Sequence, residues 1–247
     1  MSDSSNWQAV VVAGGVGRRF GRDIPKQFVD VLGVPLIWHT LAGILSAPFI
    51  GKAIVVVKDL QTFKAWLPDD GRLQFAPSGA ERFDSVLSGL ECLASDCPSE
   101  AWVAVHDAAR PMVCEPMISR LREYLLQNTA LDGVIAARPA VDTVKETVGS
   151  RIERTLDRQR LWLAETPQVF RFGELVAAMR ASSKHARQQM TDEASVMEAN
   201  GACIHCVDTM VRNEKLTQPA DLELVEWRLR RQIEQGLRPH PKNFFGK

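Results

Sequence analysis

The chain has 247 residues, 45% of them hydrophobic, with 30 basic and 30 acidic side chains that cancel to a net charge of zero. That length suits one large α/β domain or two small ones, and the neutral balance excludes a general nucleic-acid or membrane-surface binder, which needs a basic face. The opening MSDSSNWQ carries an acid and no apolar core, so it does not read as a signal peptide. No apolar run approaches the roughly 18 residues that cross a bilayer. Five scattered cysteines fit reduced thiols in the cytoplasm better than a disulfide framework.

In chain order, short apolar runs alternate with segments of helical period. AVVVA (9–13) reads as a buried strand, LIWHTLAGIL (36–45) as a helix, AIVVV (53–57) as a strand and LQTFKAWL (60–67) as a helix. SVLSGLECL (85–93), WVAVH (102–106), MISRLREYLLQ (117–127) and GVIAA (133–137) continue the alternation. Such a chain predicts one domain, a sheet covered by helices on both faces. Ligands on such sheets bind beyond the carboxyl ends of the strands. There AGGVGRR follows the first strand, PSGAERFDS leads into a helix and DAARP follows WVAVH, so three candidate loops gather on one rim.

Residues 139–160 break the pattern. Gly149-Ser150 suits a two-residue II′ turn, which predicts a projecting hairpin with Thr143 opposite Leu156 and with Asp142 and Thr143 near Arg158. The same register sets Glu146 against Glu153 and Lys145 against Arg154, two unfavourable pairs. A lone ribbon is marginal in water, so it would lean on something, most simply a second copy of the chain; the alternative is a mobile surface loop. Cys203-Ile-His-Cys206 falls in a strand, where the two thiols point to opposite faces and cannot share a metal. PADLELVEWRLRRQIEQ (219–235) reads as a helix with acids early and arginines late, and residues 236–247 as a frayed tail.

AGGVGRRFGRDIPKQF (13–28) crowds Arg18, Arg19, Arg22 and Lys26 among four glycines, with Asp23 the only acid. A P-loop is excluded because no GKS or GKT occurs, and a dinucleotide fingerprint because Phe20 stands where its third glycine belongs. No G-x-S-x-G nucleophile elbow occurs either. What remains, backbone amides beside guanidinium and ammonium groups, suits a polyphosphate. Arg18 and Arg22 read equally well as solvated surface charges. Asp107, closing the strand WVAVH, suits a metal ion and Arg110 a phosphate; the alternative is an Asp107–Arg110 turn bridge.

Seven stretches in order, AGGVGRRFGRDIPKQF, GAERFDSV, VHDAARP, VDTVKET, TPQVF, TDEAS and NEKLT, resemble the 2-C-methyl-D-erythritol 4-phosphate cytidylyltransferase family over nearly the whole chain. The resemblance implies an α/β, three-layer nucleotidyltransferase fold (Rossmann-like), with a mixed, mostly parallel sheet, helices on both faces and a projecting β-hairpin arm. It implies CTP and the polyol phosphate as substrates, Mg²⁺ as cofactor and a homodimer, in non-mevalonate isoprenoid precursor biosynthesis. By matching positions, Arg19 and Lys26 are the catalytic cations. Ala13, Gly14, Gly15 and Gly17 hold the triphosphate, while Gly79, Ala80 and Ser85 recognise cytidine. Asp107 is a metal or substrate contact. Arg110, Thr166 and Lys215 line the sugar-phosphate pocket, and Thr143 and Arg158 reach the other subunit's site from the arm. Three positions depart from the family pattern: Gly14, where alanine is usual and glycine should loosen the loop, Ala80 for an acid, and Glu214 for an apolar residue. Another polyol phosphate such as ribitol 5-phosphate, or a non-catalytic nucleotide sensor, stands as the alternative.

Overall fold

A computed structural model describes residues 7–15 and 24–246. In chain order the strands and helices are β1 (Trp7–Val12), β2 (Asp30–Val31), β3 (Val34–Pro35), α1 (Leu36–Leu45), β4 (Ile50–Val57), α2 (Leu60–Phe63) and β5 (Leu73–Pro77). There follow α3 (Arg82–Leu93), β6 (Trp102–Asp107), α4 (Glu115–Gln127), β7 (Gly133–Pro139), β8 (Lys145–Val148), β9 (Arg151–Thr155) and β10 (Trp162–Arg171). The chain continues through α5 (Phe172–Ala181), α6 (Lys184–Gln189), α7 (Glu193–Glu198), β11 (Ile204–Val207), α8 (Leu222–Glu234) and α9 (Pro241–Phe245).

Seven strands form one sheet in the order β11-β7-β10-β6-β1-β4-β5. β1 pairs in parallel with β4 and β6, β4 with β5, and β7 with β11. β10 alone runs antiparallel to its neighbours, β6 and β7. The alternation inside β1 shows why both faces must be covered. Ala9 and Val11 enter a core with α1 and α4, whereas Val10 enters the opposite core with α3 and α5. The result is the three-layer, mixed and mostly parallel sheet expected. A third apolar cluster joins Val31 and Leu36 to Leu216 and to Val225 and Leu229 of α8. Among the described residues no helix is long and apolar enough to cross a membrane.

The hairpin forms with Gly149 at φ +61°, the positive φ that a II′ turn places at its first central residue. Its register corrects the expected one. Val148 faces Arg151 and Thr147 faces Ile152, but a shift beyond Thr147 sets Glu146 opposite Arg154 and Lys145 opposite Thr155. The two like-charge pairs are thereby replaced by a Glu146–Arg154 ion pair and a 2.7 Å bond from Lys145 Nζ to Thr155 Oγ1. A bulge that removes both repulsions is the physical reason for the difference.

The tail differs from expectation too. Residues 241–245 form α9, whose Phe245 packs edge-on against Trp38 at 5.6 Å. Arg238 is buried and donates to the carbonyls of His39 and Pro111. A guanidinium whose two terminal nitrogens bond backbone carbonyls anchors what composition alone read as frayed.

Candidate active site

From β1 the chain builds β4 and β5 on one side and then crosses to β6 on the other. The crevice beyond the carboxyl ends of β1 and β6 is thus a topological switch point. A cavity of about 370 Å³ opens there. Ala13, Gly14, Gly15, Lys26, Gly79, Ala80, Ser85, Asp107 and Lys215 all line it, so the three expected loops do share one rim, joined by the segment carrying Lys215. Gly17 and Arg19 lie outside the described residues.

Local chemistry sets each loop. Ala13 N–H donates to Val56 O at 2.8 Å and Ala108 N–H to Val12 O at 3.0 Å, fixing the two strand exits side by side. Gln27, buried, donates from Nε2 to Ala13 O at 2.6 Å and to Gly15 O at 3.0 Å, which pins the glycine stretch. Pro25, at φ −56°, opens a 3₁₀ turn over Lys26–Phe28. Phe28 stacks on Phe63 at 4.4 Å, so Lys26 stands on an anchored turn, and its Nζ donates to Leu216 O at 2.7 Å.

A capping box between Glu81 and Asp84 starts α3. Ser85 Oγ accepts from Gly79 N–H at 3.1 Å and donates to Glu81 O at 3.0 Å, so this hydroxyl shapes the loop from within. Gly14 has a packing reason that sequence could not supply. A Cβ there would lie 2.4 Å from Ser78 Cβ, so the glycine fits a tight contact and does not merely loosen the loop. Glu214, the second departure with a visible partner, pairs with Arg228 of α8 at 3.1 Å.

Asp107 is the electrostatic centre, only 7% exposed. Its Oδ1 accepts from Arg82 Nε at 3.1 Å and its Oδ2 from Lys215 Nζ at 2.7 Å, with Arg110 Nε 3.8 Å away. Burial alone would raise this carboxyl, but the Arg82 and Lys215 charges overcome it and hold the pKa far below the usual carboxylate range. Arg82 in turn gives Nη1 and Nη2 to Glu193 at 2.5 and 3.0 Å. Burial works against its charge, and Glu193 and Asp107 together keep its pKa above the ordinary value.

Arg110 and Thr166 do not line the cavity but adjoin Asp107, which does: Thr166 Oγ1 accepts the Asp107 N–H at 3.1 Å and Arg110 Nε lies 3.8 Å from Asp107 Oδ2. Arg110 Nη1 donates to Asn213 O at 2.8 Å, and Asn213 Nδ2 to Thr166 O at 2.9 Å. Thr143 and Arg158 lie exposed on the arm, away from the cavity wall, with Arg158 Nη1 donating to Val141 O at 2.6 Å. Arg82, Glu193 and Asn213 are site residues that sequence reasoning passed over although each sits inside a quoted motif. The readable signal was a basic side chain directly after an acidic helix cap, at the rim already identified.

Mg²⁺ fits this donor set poorly. Among the described residues no three His, Cys, Asp or Glu side chains are grouped to hold a metal. Of the two described carboxylates that line the cavity, Asp107 already has both oxygens bonded to cations and Glu81 is engaged in the capping box of α3.

A doubly wound sheet whose switch-point crevice joins a glycine loop to converging ammonium and guanidinium groups defines a nucleotidyltransferase. The profile of 2-C-methyl-D-erythritol 4-phosphate cytidylyltransferase (IspD) matches residues 7–231, and the chain belongs to that family of enzymes. It is 39% identical over 228 residues to the family's protein from Azoarcus sp. (strain BH72), covering 89% of this chain and 92% of that one. To the bifunctional enzyme IspD/IspF of Rhodospirillum rubrum it is 40% identical over 232 residues, and here the chain spans 58% of the relative's length against 93% of its own. The crystal structure of the Francisella tularensis 2-C-methyl-D-erythritol 4-phosphate cytidylyltransferase superposes with a TM-score of 0.78 at 31% identity, covering 90% of this chain and 99% of that one.

Gly14→Ala is expected to lower thermal stability by about 1–3 kcal/mol, the usual cost of overpacking. Adding Ser78→Gly should recover most of the loss. Melting curves of the single and double variants check both, and a Gly14→Ala protein that melts like the parent would mean the loop simply steps aside.

Proposed function

We propose that the chain transfers CMP from CTP to 2-C-methyl-D-erythritol 4-phosphate and releases pyrophosphate, as the resemblance and the names of its relatives imply. The observation that carries this reading is the convergence of the glycine stretch, Lys26 and Lys215 on one crevice. A phosphate-monoester oxygen of the polyol attacks the α-phosphorus of CTP. A new P–O–P linkage forms as the bond to the β-phosphate breaks, and pyrophosphate leaves in line with the electron pair. The attacking oxygen is already largely ionised at pH 7, because the second phosphate pKa is about 6, so no general base is required. The obstacle is repulsion between two anions.

Catalysis then rests on orientation and on cations held where charge builds. Lys26 supplies one from the anchored turn, and Arg19 is proposed as its partner. Ala13, Gly14, Gly15 and Gly17 would hold the triphosphate, with Gly79, Ala80 and Ser85 bounding the cytidine. Lys215, Arg110 and Thr166 would bind the acceptor. Asp107 is better suited to fixing Lys215 and Arg82 than to ligating Mg²⁺, so a divalent ion would be held chiefly by the nucleotide's own phosphates. Thr143 and Arg158 would act in a neighbouring copy's site within a homodimer, which accounts for their exposure on the arm. Five unpaired cysteines support a cytoplasmic setting.

Pyrophosphate release from CTP should require methylerythritol phosphate and should be weak with ribitol 5-phosphate; equal rates, or no turnover with either, would refute the assignment. Lys26→Ala is expected to lower kcat by about 10²–10³, the range for one preorganised donor, as read in steady-state assays of the folded variant. Mixed dimers of Arg19→Ala and Arg158→Ala subunits should regain part of the activity that each homodimer lacks. Verified heterodimers without recovery would show that sites are not shared across subunits.

A further inference from the structure

Thr166 lies within the stretch of β10 between Ala164 and Gln168 where the pairing register with β7 shifts. Its Oγ1 accepts the Asp107 N–H at 3.1 Å and stands 3.0 Å from Nδ1 of His106. The other ring nitrogen of His106, Nε2, is 3.0 Å from the carbonyl oxygen of Arg110. A carbonyl oxygen only accepts, so Nε2 carries a hydrogen. The ring is fully buried and neither nitrogen bonds a carboxylate, so it is neutral and Nε2 holds its only N–H. Nδ1 is therefore bare, and the Thr166 hydroxyl must donate to it.

The polarity of that hydroxyl follows. Its proton is turned toward His106, one lone pair is taken by the Asp107 amide, and what Oγ1 has left to offer is acceptor character. We propose that His106 is a positioning residue that fixes Thr166 as a hydrogen-bond acceptor, so that Thr166 meets a hydroxyl donor of the polyol and not its phosphate. A phosphate dianion brings only acceptor oxygens and would face a lone pair; a polyol O–H complements it. The same ring secures the turn from Asp107 to Arg110 through the Arg110 carbonyl, so one buried tautomer orders both Thr166 and that turn. This rests on the reading that Thr166 belongs to that pocket.

Two substitutions separate the ring's two roles. His106→Asn can keep an acceptor oxygen near the Nδ1 position and loses the donor to Arg110. His106→Gln can keep a donor near the Nε2 position and loses the acceptor for Thr166. Each deletes one buried hydrogen bond, so a merely structural role would move both variants in step. The expected result is a KM for methylerythritol phosphate within about twofold of the parent in His106→Asn but raised about tenfold in His106→Gln. The KM for CTP should be unchanged in both. Nitrogen-15 NMR of labelled histidine in the ligand-free parent should show the Nε2–H tautomer, a readout independent of turnover and of whether either variant folds. An Nδ1–H tautomer, equal KM rises in the two variants, or no rise in His106→Gln would overturn the proposal. Parent turnover with methylerythritol phosphate judges the underlying reaction separately.

Discussion

One buried carboxylate organises the crevice. Asp107 sits at the end of β6 with Arg82 on one oxygen and Lys215 on the other. Cations this close repel one another strongly where water is scarce: a unit pair at 4 Å is worth about 4 kcal/mol at an effective dielectric near 20. Glu193, taking both terminal nitrogens of Arg82, supplies the second negative charge. The two acids let basic groups assemble before any ligand arrives, and they hold them at defined atoms. An anionic reactant then meets a field already in place, without reorganising the protein.

The partners of this centre come from distant parts of the chain. Arg82 bonds Glu193 across 111 residues and Lys215 bonds Asp107 across 108. The stretch from Asn213 to Leu216 gathers most of these links. Its Asn213 side chain holds the Thr166 carbonyl, its Asn213 carbonyl holds Arg110, Lys215 holds Asp107, and the Leu216 carbonyl holds Lys26. Leu216 N–H also closes onto Ala109 O at 2.8 Å, while its side chain is buried against Val225 and Leu229. Packing of α8 therefore bears directly on site geometry, although α8 contributes nothing to the cavity wall.

Most of the parallel part of the sheet was legible because strands buried on both faces read as unbroken apolar runs, whereas β5, half-buried at the sheet edge, was not read as a strand. β1, β4, β6 and β7 announce themselves this way, and α1 lies over the predicted 36–45. β10 did not. WLAETPQVFR mixes Glu165, Thr166 and Pro167 into a strand with an irregular register, and no apolar periodicity survives. The site was legible where a glycine turn or a strand-end acid marked the rim. It was illegible where function depends on pairing: nothing in GAERFDS or TDEAS says that Arg82 and Glu193 meet. The arm's bulge was hidden for a related reason, since turn chemistry sets the nearest pairs while ion pairing decided the outer ones. Residues 236–247 look like solvent-exposed chain until Arg238 finds its carbonyls.

The contact between Gly14 and Ser78 also bears on how such a site can change over time. An alanine at 14 would bring its β-carbon to 2.4 Å from that of Ser78, so the loop must shift at a cost in stability while the serine keeps its side chain. Loss of the serine side chain first opens a passable intermediate; the reverse sequence of changes passes through a clash at the nucleotide loop. Two individually mild replacements are thus contingent on one another.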